Sequence, residues 1–340
     1  IPVYPCNPGM FRSMYFNCMG KNDLIIGISQ SGETKDLVDI FQDVKKTNNS
    51  VRHVSIVNNE NSRIPQELSD FYLPLLCGPE IAVAATKSFT SQIAILYLLA
   101  ASFSMPEHKV RENLIKARDL MTETIETRMG DIESVAAHLF AASSIHILGT
   151  GLIGLAKEGA LKIREVVLNH TEGYDAAEFK HGPNTILGRN TVLSLADLEK
   201  LVGAEPLTAI NNDLFEKLSH NYPLIFICPP EERDRRITIS QIHTHKIRGA
   251  DIILIAEPSQ ELALAVEGVP MGIEKYWSKY LPLPQSGDPC IFVFSAIIAL
   301  QYLAYRMSVR KMQWLDSLGI QNHGVHPDAP KNVSKSITVD

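Results

Sequence analysis

The sequence predicts an α/β protein made of two tandem, doubly wound parallel-sheet subdomains followed by an irregular C-terminal tail. Two observations carry this. Short β-rich apolar runs end in Ser- or Gly-rich turns and give way to segments with helical spacing. After a helical stretch near the middle of the chain, the same order begins again.

The first cycle opens at 23–29, Asp-Leu-Ile-Ile-Gly-Ile-Ser, an apolar run of the kind a buried parallel strand shows. It breaks at Gln30-Ser31-Gly32-Glu33-Thr34, after which Leu37, Val38, Ile40 and Phe41 fall at helical spacing. Strands are predicted at 51–57 and 70–75, and a long helix over 86–101 closes this part. Helices with polar faces follow over 107–126 and 131–142. The second cycle has a strand at 144–148, the turn Gly149-Thr150-Gly151, a helix over 155–168, and strands at 222–228 and 251–256. The subdomains are thus expected at 1–127 and 128–311, with a polar, irregular insertion near 184–221 and a tail over 312–340. The opening residues read as the interior of a domain, so a preceding segment is expected.

With 340 residues, 45% hydrophobic and 21% charged, the chain suits a folded protein of about two domains. A net charge of −6 supplies no basic field for nucleic acid or an anionic membrane. An anionic substrate must then be held by local geometry. The five cysteines (Cys6, Cys18, Cys77, Cys228 and Cys290) are scattered, and none forms a CxxC pair. They read as reduced core thiols of a cytoplasmic protein. No secretory signal opens the sequence, and the most apolar segment, 290–304, is too short and interrupted to span a bilayer.

Three places concentrate polar chemistry. Ser29-Gln30-Ser31-Gly32-Glu33-Thr34 packs three hydroxyls and a glycine between a strand and a helix, where backbone N–H groups and the helix dipole favour a phosphate. An ordinary N-cap and turn accounts for one or two of these residues. Glu158, Lys162, Glu165 and Asn169 form one stripe on the helix over 155–168, which spacing alone explains equally as a solvated ion-pair row. His181, before Gly182-Pro183, sits on a rigid turn and can serve as a general acid or base, although a loop histidine is often merely exposed.

Two further patterns point elsewhere. Gly149-Thr150-Gly151-Leu152-Ile153-Gly154 matches GxGxxG, but 171–173, about 20 residues on, does not read as the end of a second strand carrying the confirming acid. The glycines are taken as a tight turn and no nicotinamide cofactor is expected. His243 and His245 form an HxH pair with no third ligand at metal spacing, so no metal is expected. The mixed charges of 231–236 read as a solvated helix start.

Four stretches together resemble the sugar isomerase (SIS) family, and within it the isomerase domain of the glutamine–fructose-6-phosphate amidotransferases. They are 27–34 (GISQSGET), 78–87 (GPEIAVAATK), 158–165 (EGALKIRE) with 178–183 (EFKHGP), and 330–340 (PKNVSKSITVD). The first two are widespread in the family, and the last two are specific to the amidotransferase group. The similarity leaves out 184–221 and about 312–325.

The resemblance implies flavodoxin-like α/β sandwiches, no cofactor, and a sugar-phosphate isomerase or aminating activity on fructose 6-phosphate. It implies that Ser29, Gln30, Ser31 and Thr34 hold the phosphate and that Val83 touches the sugar through its backbone. Lys335 would form a Schiff base at C2, Glu165 would move a proton between C1 and C2, and Lys162 would stabilise the oxyanion. His181 would assist ring opening from the neighbouring subunit, which implies a homodimer. The family's first strand and its turn are not in this sequence, Ala85 replaces a serine, and Arg164 replaces a lysine. A glutaminase domain or subunit would have to lie elsewhere, since the sequence opens on Ile1 rather than a nucleophilic cysteine. An SIS-type glucosamine-6-phosphate deaminase and a non-catalytic sugar-phosphate sensor are the alternative functions.

Overall fold

The computed structural model describes residues 1–48, 50–187, 221–273 and 276–328. These fall into two compact units, one over Ile1–Met105 and the other beginning at Pro106. The expected division near residue 128 lies inside a single helix, Glu107–Leu139. Gly130 does not interrupt it, because Glu133, one turn on, is fixed by ion pairs to Arg306 and Arg310 of a packed neighbour, which offsets the low helix propensity of glycine.

The first unit holds a parallel three-stranded sheet in the order β1-β2-β3, with β1 Leu24–Ser29, β2 Arg52–Val57 and β3 Phe71–Pro74. Along β1, Ile25, Gly27 and Ser29 are buried while Leu24, Ile26 and Ile28 are exposed, the two-residue alternation of a strand covered on one face. Helix α1 (Lys35–Thr47) covers the inner face through Val38, Phe41 and Val44, which pack with Ile25, Val51, Ile64 and Leu68. Helix α2 (Lys87–Ala101) follows β3.

The second unit begins with α3 (Glu107–Leu139) and contains a parallel five-stranded sheet in the order β5-β4-β6-β7-β8. The strands are β4 Ser144–Gly149, β5 His170–Asp175, β6 Tyr222–Cys228, β7 Ala250–Ala256 and β8 Ser278–Pro282. Numbered within the unit, this is the 2-1-3-4-5 order of a flavodoxin-like sheet, as expected. Every residue of β6 and β7 is buried, which is why both read as continuous apolar runs rather than alternating ones. The helices are α4 (Ile153–Val167), α5 (Glu232–Lys246), α6 (Gln260–Glu267) and α7 (Pro289–Ser317).

Several expectations need correction. Of the five cysteines only Cys228 is buried, while Cys6, Cys18 and Cys290 are exposed, so they are not core thiols as a set. The polar sequence at 170–175 is a strand after all, paired with β4 from Ser144–His170 to Gly149–Asp175. Backbone pairing with β4 holds it in the sheet, and Thr171 and Tyr174 pack inward from it. The apolar segment 290–304 belongs to the 29-residue α7, long and apolar enough to cross a membrane, but 67% of its most apolar window is buried in this fold. That makes it a core helix. Residues 312–317 continue α7, so they are not part of a tail. Most of the insertion near 184–221, and Lys335 with the rest of 329–340, lie outside the described residues.

The second core contains two histidines. His146 on β4 bonds through Nδ1 to the Tyr222 hydroxyl at 2.6 Å, whereas His245 on α5 is fully buried with no partner for either ring nitrogen. Burial pushes both imidazoles from their ordinary 6.5 down to about 4. The neutral rings are favoured in the fold, so the unfolded chain takes up protons first as pH drops below 6.5, and stability falls until about pH 4. His245→Leu is expected to remove its share, about 2 kcal/mol between pH 7 and pH 5. Urea denaturation at both pH values checks this. An equal pH dependence in the variant and the parent protein would rule it out.

Candidate active site

In the first unit, the turn after β1 is tied to itself and to the next turns. Ser29 Oγ and Thr34 Oγ1 lie 2.7 Å apart, Gly32 N donates to Ser29 Oγ at 3.0 Å, and Glu33 N donates to Ser31 Oγ at 3.2 Å. Thr34 occupies the N-cap position of α1, yet its side chain makes no capping bond. The ordinary N-cap explanation therefore fails for Thr34. The N-terminus of α1 is thus left without a side-chain cap, and backbone N–H groups at such an end suit an anion. Gly32 is required: its φ is +69°, and a Cβ there would lie 1.8 Å from Ser62 Oγ.

Two residues that sequence reasoning missed organise this end of the sheet. Asn58, just beyond β2, donates through its backbone N–H to Gln30 O at 3.3 Å and through Nδ2 to Gly78 O at 2.7 Å. It thereby joins the turn after β1 to the loop after β3, the loop that carries Val83. Glu80 accepts from Ser88 Oγ at 2.7 Å, Ser88 N at 3.0 Å and Thr86 N at 3.3 Å, fastening that loop to the start of α2. Burial alone pushes the Glu80 carboxyl up, but these bonds outweigh it and hold it below the ordinary range. For Asn58 the available signal was a polar residue at the carboxyl end of a strand.

In the second unit, α4 carries the stripe. Its entry turn is fixed where Thr150 N donates to Ile227 O at 3.1 Å and where the Thr150 and Thr238 hydroxyls meet at 2.8 Å. Leu155, Ala156, Ala160, Ile163 and Val166 face the core. At its other end the carbonyls of Val166 and Val167 accept from Ser308 Oγ and Lys311 Nζ of α7. Both ends are therefore held.

Lys162 Nζ lies 2.9 Å from Glu165 Oε2 and 3.3 Å from Glu158 Oε1. The lysine side chain is only 3% exposed, against 11% for Glu158 and 21% for Glu165. A solvated ion-pair row would not bury its cation. Burial raises the Glu158 carboxyl above its ordinary range, opposed by Lys162 and reinforced by Glu165. Asn169 leaves the stripe: it is buried, donates to Phe140 O and accepts from Lys311 Nζ.

His181 is exposed at the end of a short 3-10 turn, Glu178–Lys180, with its N–H on Glu178 O at 3.0 Å. The HxH pair is divided, since His245 enters the core and His243 lines a cleft of about 470 Å³ with Arg236 and Glu261. Among the described residues no cluster of three His, Cys, Asp or Glu side chains could hold a metal. The stated ground against a dinucleotide does not hold, because β5 is a strand ending in an acid, Asp175. That carboxylate is engaged, however, accepting from Ala177 N at 2.8 Å in its own turn.

The sequence matches the SIS domain family over residues 4–102. It is 31% identical to the glutamine–fructose-6-phosphate aminotransferase (isomerizing) of Sulfurisphaera tokodaii, over 97% of this chain and 45% of that one. The enzyme of the same name from Methanothermobacter thermautotrophicus is 30% identical over 93% of this chain and 44% of its own. The chain thus spans under half the length of these curated relatives. Among solved structures, the C-terminal domain of glucosamine-fructose-6-phosphate aminotransferase from Francisella tularensis superposes with a TM-score of 0.64 at 25% identity, covering 85% of this chain and 71% of that one. Tagatose-6-phosphate ketose/aldose isomerase from Escherichia coli shares the fold with a TM-score of 0.64 at 17% identity, over 97% and 77% of the two chains. The SIS-domain match thus falls on the first unit, and nearly the whole chain is similar to part of the glutamine–fructose-6-phosphate aminotransferases.

Proposed function

We propose that this chain is the isomerase part of a glutamine–fructose-6-phosphate aminotransferase, binding fructose 6-phosphate and forming glucosamine 6-phosphate. The observation that carries the reading is Lys162, a buried cation gripped by two carboxylates on one helix. Such a group is costly to bury and is characteristic of sites that handle developing charge.

In this reading the phosphate rests on Ser29, Gln30, Ser31 and Thr34, and the sugar touches the backbone at Val83. His181 of the partner subunit of a homodimer protonates the ring oxygen as the sugar opens. The Lys335 amine condenses with the C2 ketone, releasing water, and ammonia then displaces the lysine. Glu165 takes the C1 proton and returns a proton to C2 while the C1 hydroxyl proton passes to the nitrogen, so nitrogen stays on C2 as the amine and C1 becomes the aldehyde. Lys162 stabilises the negative charge that develops on oxygen during this shift. Ammonia comes from a glutaminase domain or subunit, or from solution, and the reaction takes place in the cytoplasm.

The test is incubation of the purified chain with fructose 6-phosphate, with and without ammonium, following glucose 6-phosphate and glucosamine 6-phosphate. Formation of either product is expected. Saturable binding with no product would replace this reading with that of a sugar-phosphate sensor.

A further inference from the structure

The loop that presents His181 is held to the core by few side chains. After β5, Asp175 Oδ1 accepts from Ala177 N and Glu178 N at 2.8 and 3.4 Å, which turns the chain. Ala176 N then donates to Gly149 O at 3.3 Å. From Ala176 to Gly182 only Ala176 and Phe179 are buried, whereas Glu178, Lys180 and His181 are exposed. A 3-10 turn of three residues has little stability of its own, so its position depends on what its one large buried side chain meets.

Phe179 meets a socket built from three elements. Its ring centroid lies 5.0 Å from that of His146 on β4, 5.2 Å from that of His245 on α5 and 6.1 Å from that of Tyr174 on β5. The contact with His245 is edge-to-face at 82°, a favourable aromatic geometry. His146 is oriented in turn by Tyr222, whose hydroxyl also meets Ser144 Oγ at 2.7 Å. Phe179 is fully buried and lies two residues before His181.

We propose that Phe179 is a positioning residue: seated between His146 and His245, it sets where the adjoining turn holds His181. The inference rests on the reading of His181 as an acid–base group, and it adds a residue that touches neither substrate nor reacting atoms. Displacing a proton-transfer group by an ångström costs about a hundredfold in rate. Phosphate binding, assigned to the first unit, does not involve this socket.

The test is a double-mutant cycle on the full chain, assayed with fructose 6-phosphate. Phe179→Ala is expected to lower kcat about 10- to 100-fold with KM changed less than about 3-fold, and Phe179→Leu to recover most of the loss. In the His181→Ala background, Phe179→Ala should cost nothing further. Equal losses in both backgrounds, or no loss in the parent, overturn the inference. Full activity in His181→Ala instead overturns the acid–base reading of His181. If Phe179→Ala does not fold, the same cycle with Phe179→Val decides by the same criteria. A readout independent of turnover is the His181 imidazole resonance, which should shift and broaden in the Phe179 variant. An unchanged resonance counts against the proposal.

Discussion

Replacing Glu165 with glutamine is expected to lower turnover of fructose 6-phosphate by about 10²- to 10⁴-fold while leaving KM nearly unchanged. The amide keeps the shape of the carboxylate and can still accept from Lys162, but it cannot take a proton at working pH. Phosphate contacts are assigned to Ser29, Gln30, Ser31 and Thr34, none of which belongs to the unit that carries Glu165. The fold should persist, because Lys162 keeps Glu158 at 3.3 Å as its charged partner. Steady-state kinetics provide the first check. The sharper one is exchange of the C1 proton with deuterated solvent, which should disappear with the variant. Exchange at the parent rate would mean that Glu165 is not the base.

The second large effect is expected from Lys162→Met. Removing this cation, which is 3% exposed, leaves two carboxylates on one helix face with no charge between them. Loss of the oxyanion partner is expected to lower kcat by about 10²- to 10³-fold. Loss of half of a buried ionic cluster is expected to cost about 3–5 kcal/mol of stability near pH 8. The pH dependence has a definite sign. The Glu158 carboxyl already sits above its ordinary range because it is buried, and without Lys162 it should rise further. A raised carboxyl binds protons in the folded state before the unfolded one, so lowering the pH toward 5 should recover part of the lost stability. Glu158→Gln combined with Lys162→Met should recover it at pH 8 as well. A stability difference between Lys162→Met and the parent protein that is the same at pH 5 and pH 8 would contradict the assignment.

How far the sequence revealed these features depended on whether the residues carried their own signal. β6 and β7 are apolar throughout because both faces are covered, and they were placed within a residue. The turn at 29–34 was legible because hydroxyls and glycine between a strand and a helix are unusual enough to stand out. β5 was not, since His-Thr-Glu-Gly-Tyr-Asp has no apolar alternation and only its pairing with β4 makes it a strand. Nor was α7, whose apolar residues lie all round the helix and give no period to read. The Glu158, Lys162, Glu165 spacing was visible, but the same spacing fits a wet surface. Burial of Lys162 excludes the wet surface, and burial is set by tertiary neighbours. Asn58 escaped notice because its partners are backbone groups of two distant loops, and Glu80 because its partners are gathered only by the fold of its own loop.

The way α7 closes the second unit also bears on how the protein is made. This helix supplies the hydroxyl and ammonium that satisfy the last carbonyls of α4, and its arginines hold α3 through Glu133. Yet about 120 residues separate the end of α4 from the start of α7. At about 5–20 residues per second, a ribosome needs roughly 6–24 s to cover that distance. For that interval the surfaces of α3 and α4 that α7 covers have no partner. The order of synthesis thus leaves the helix with the proposed chemistry uncovered on one side until its last neighbour emerges.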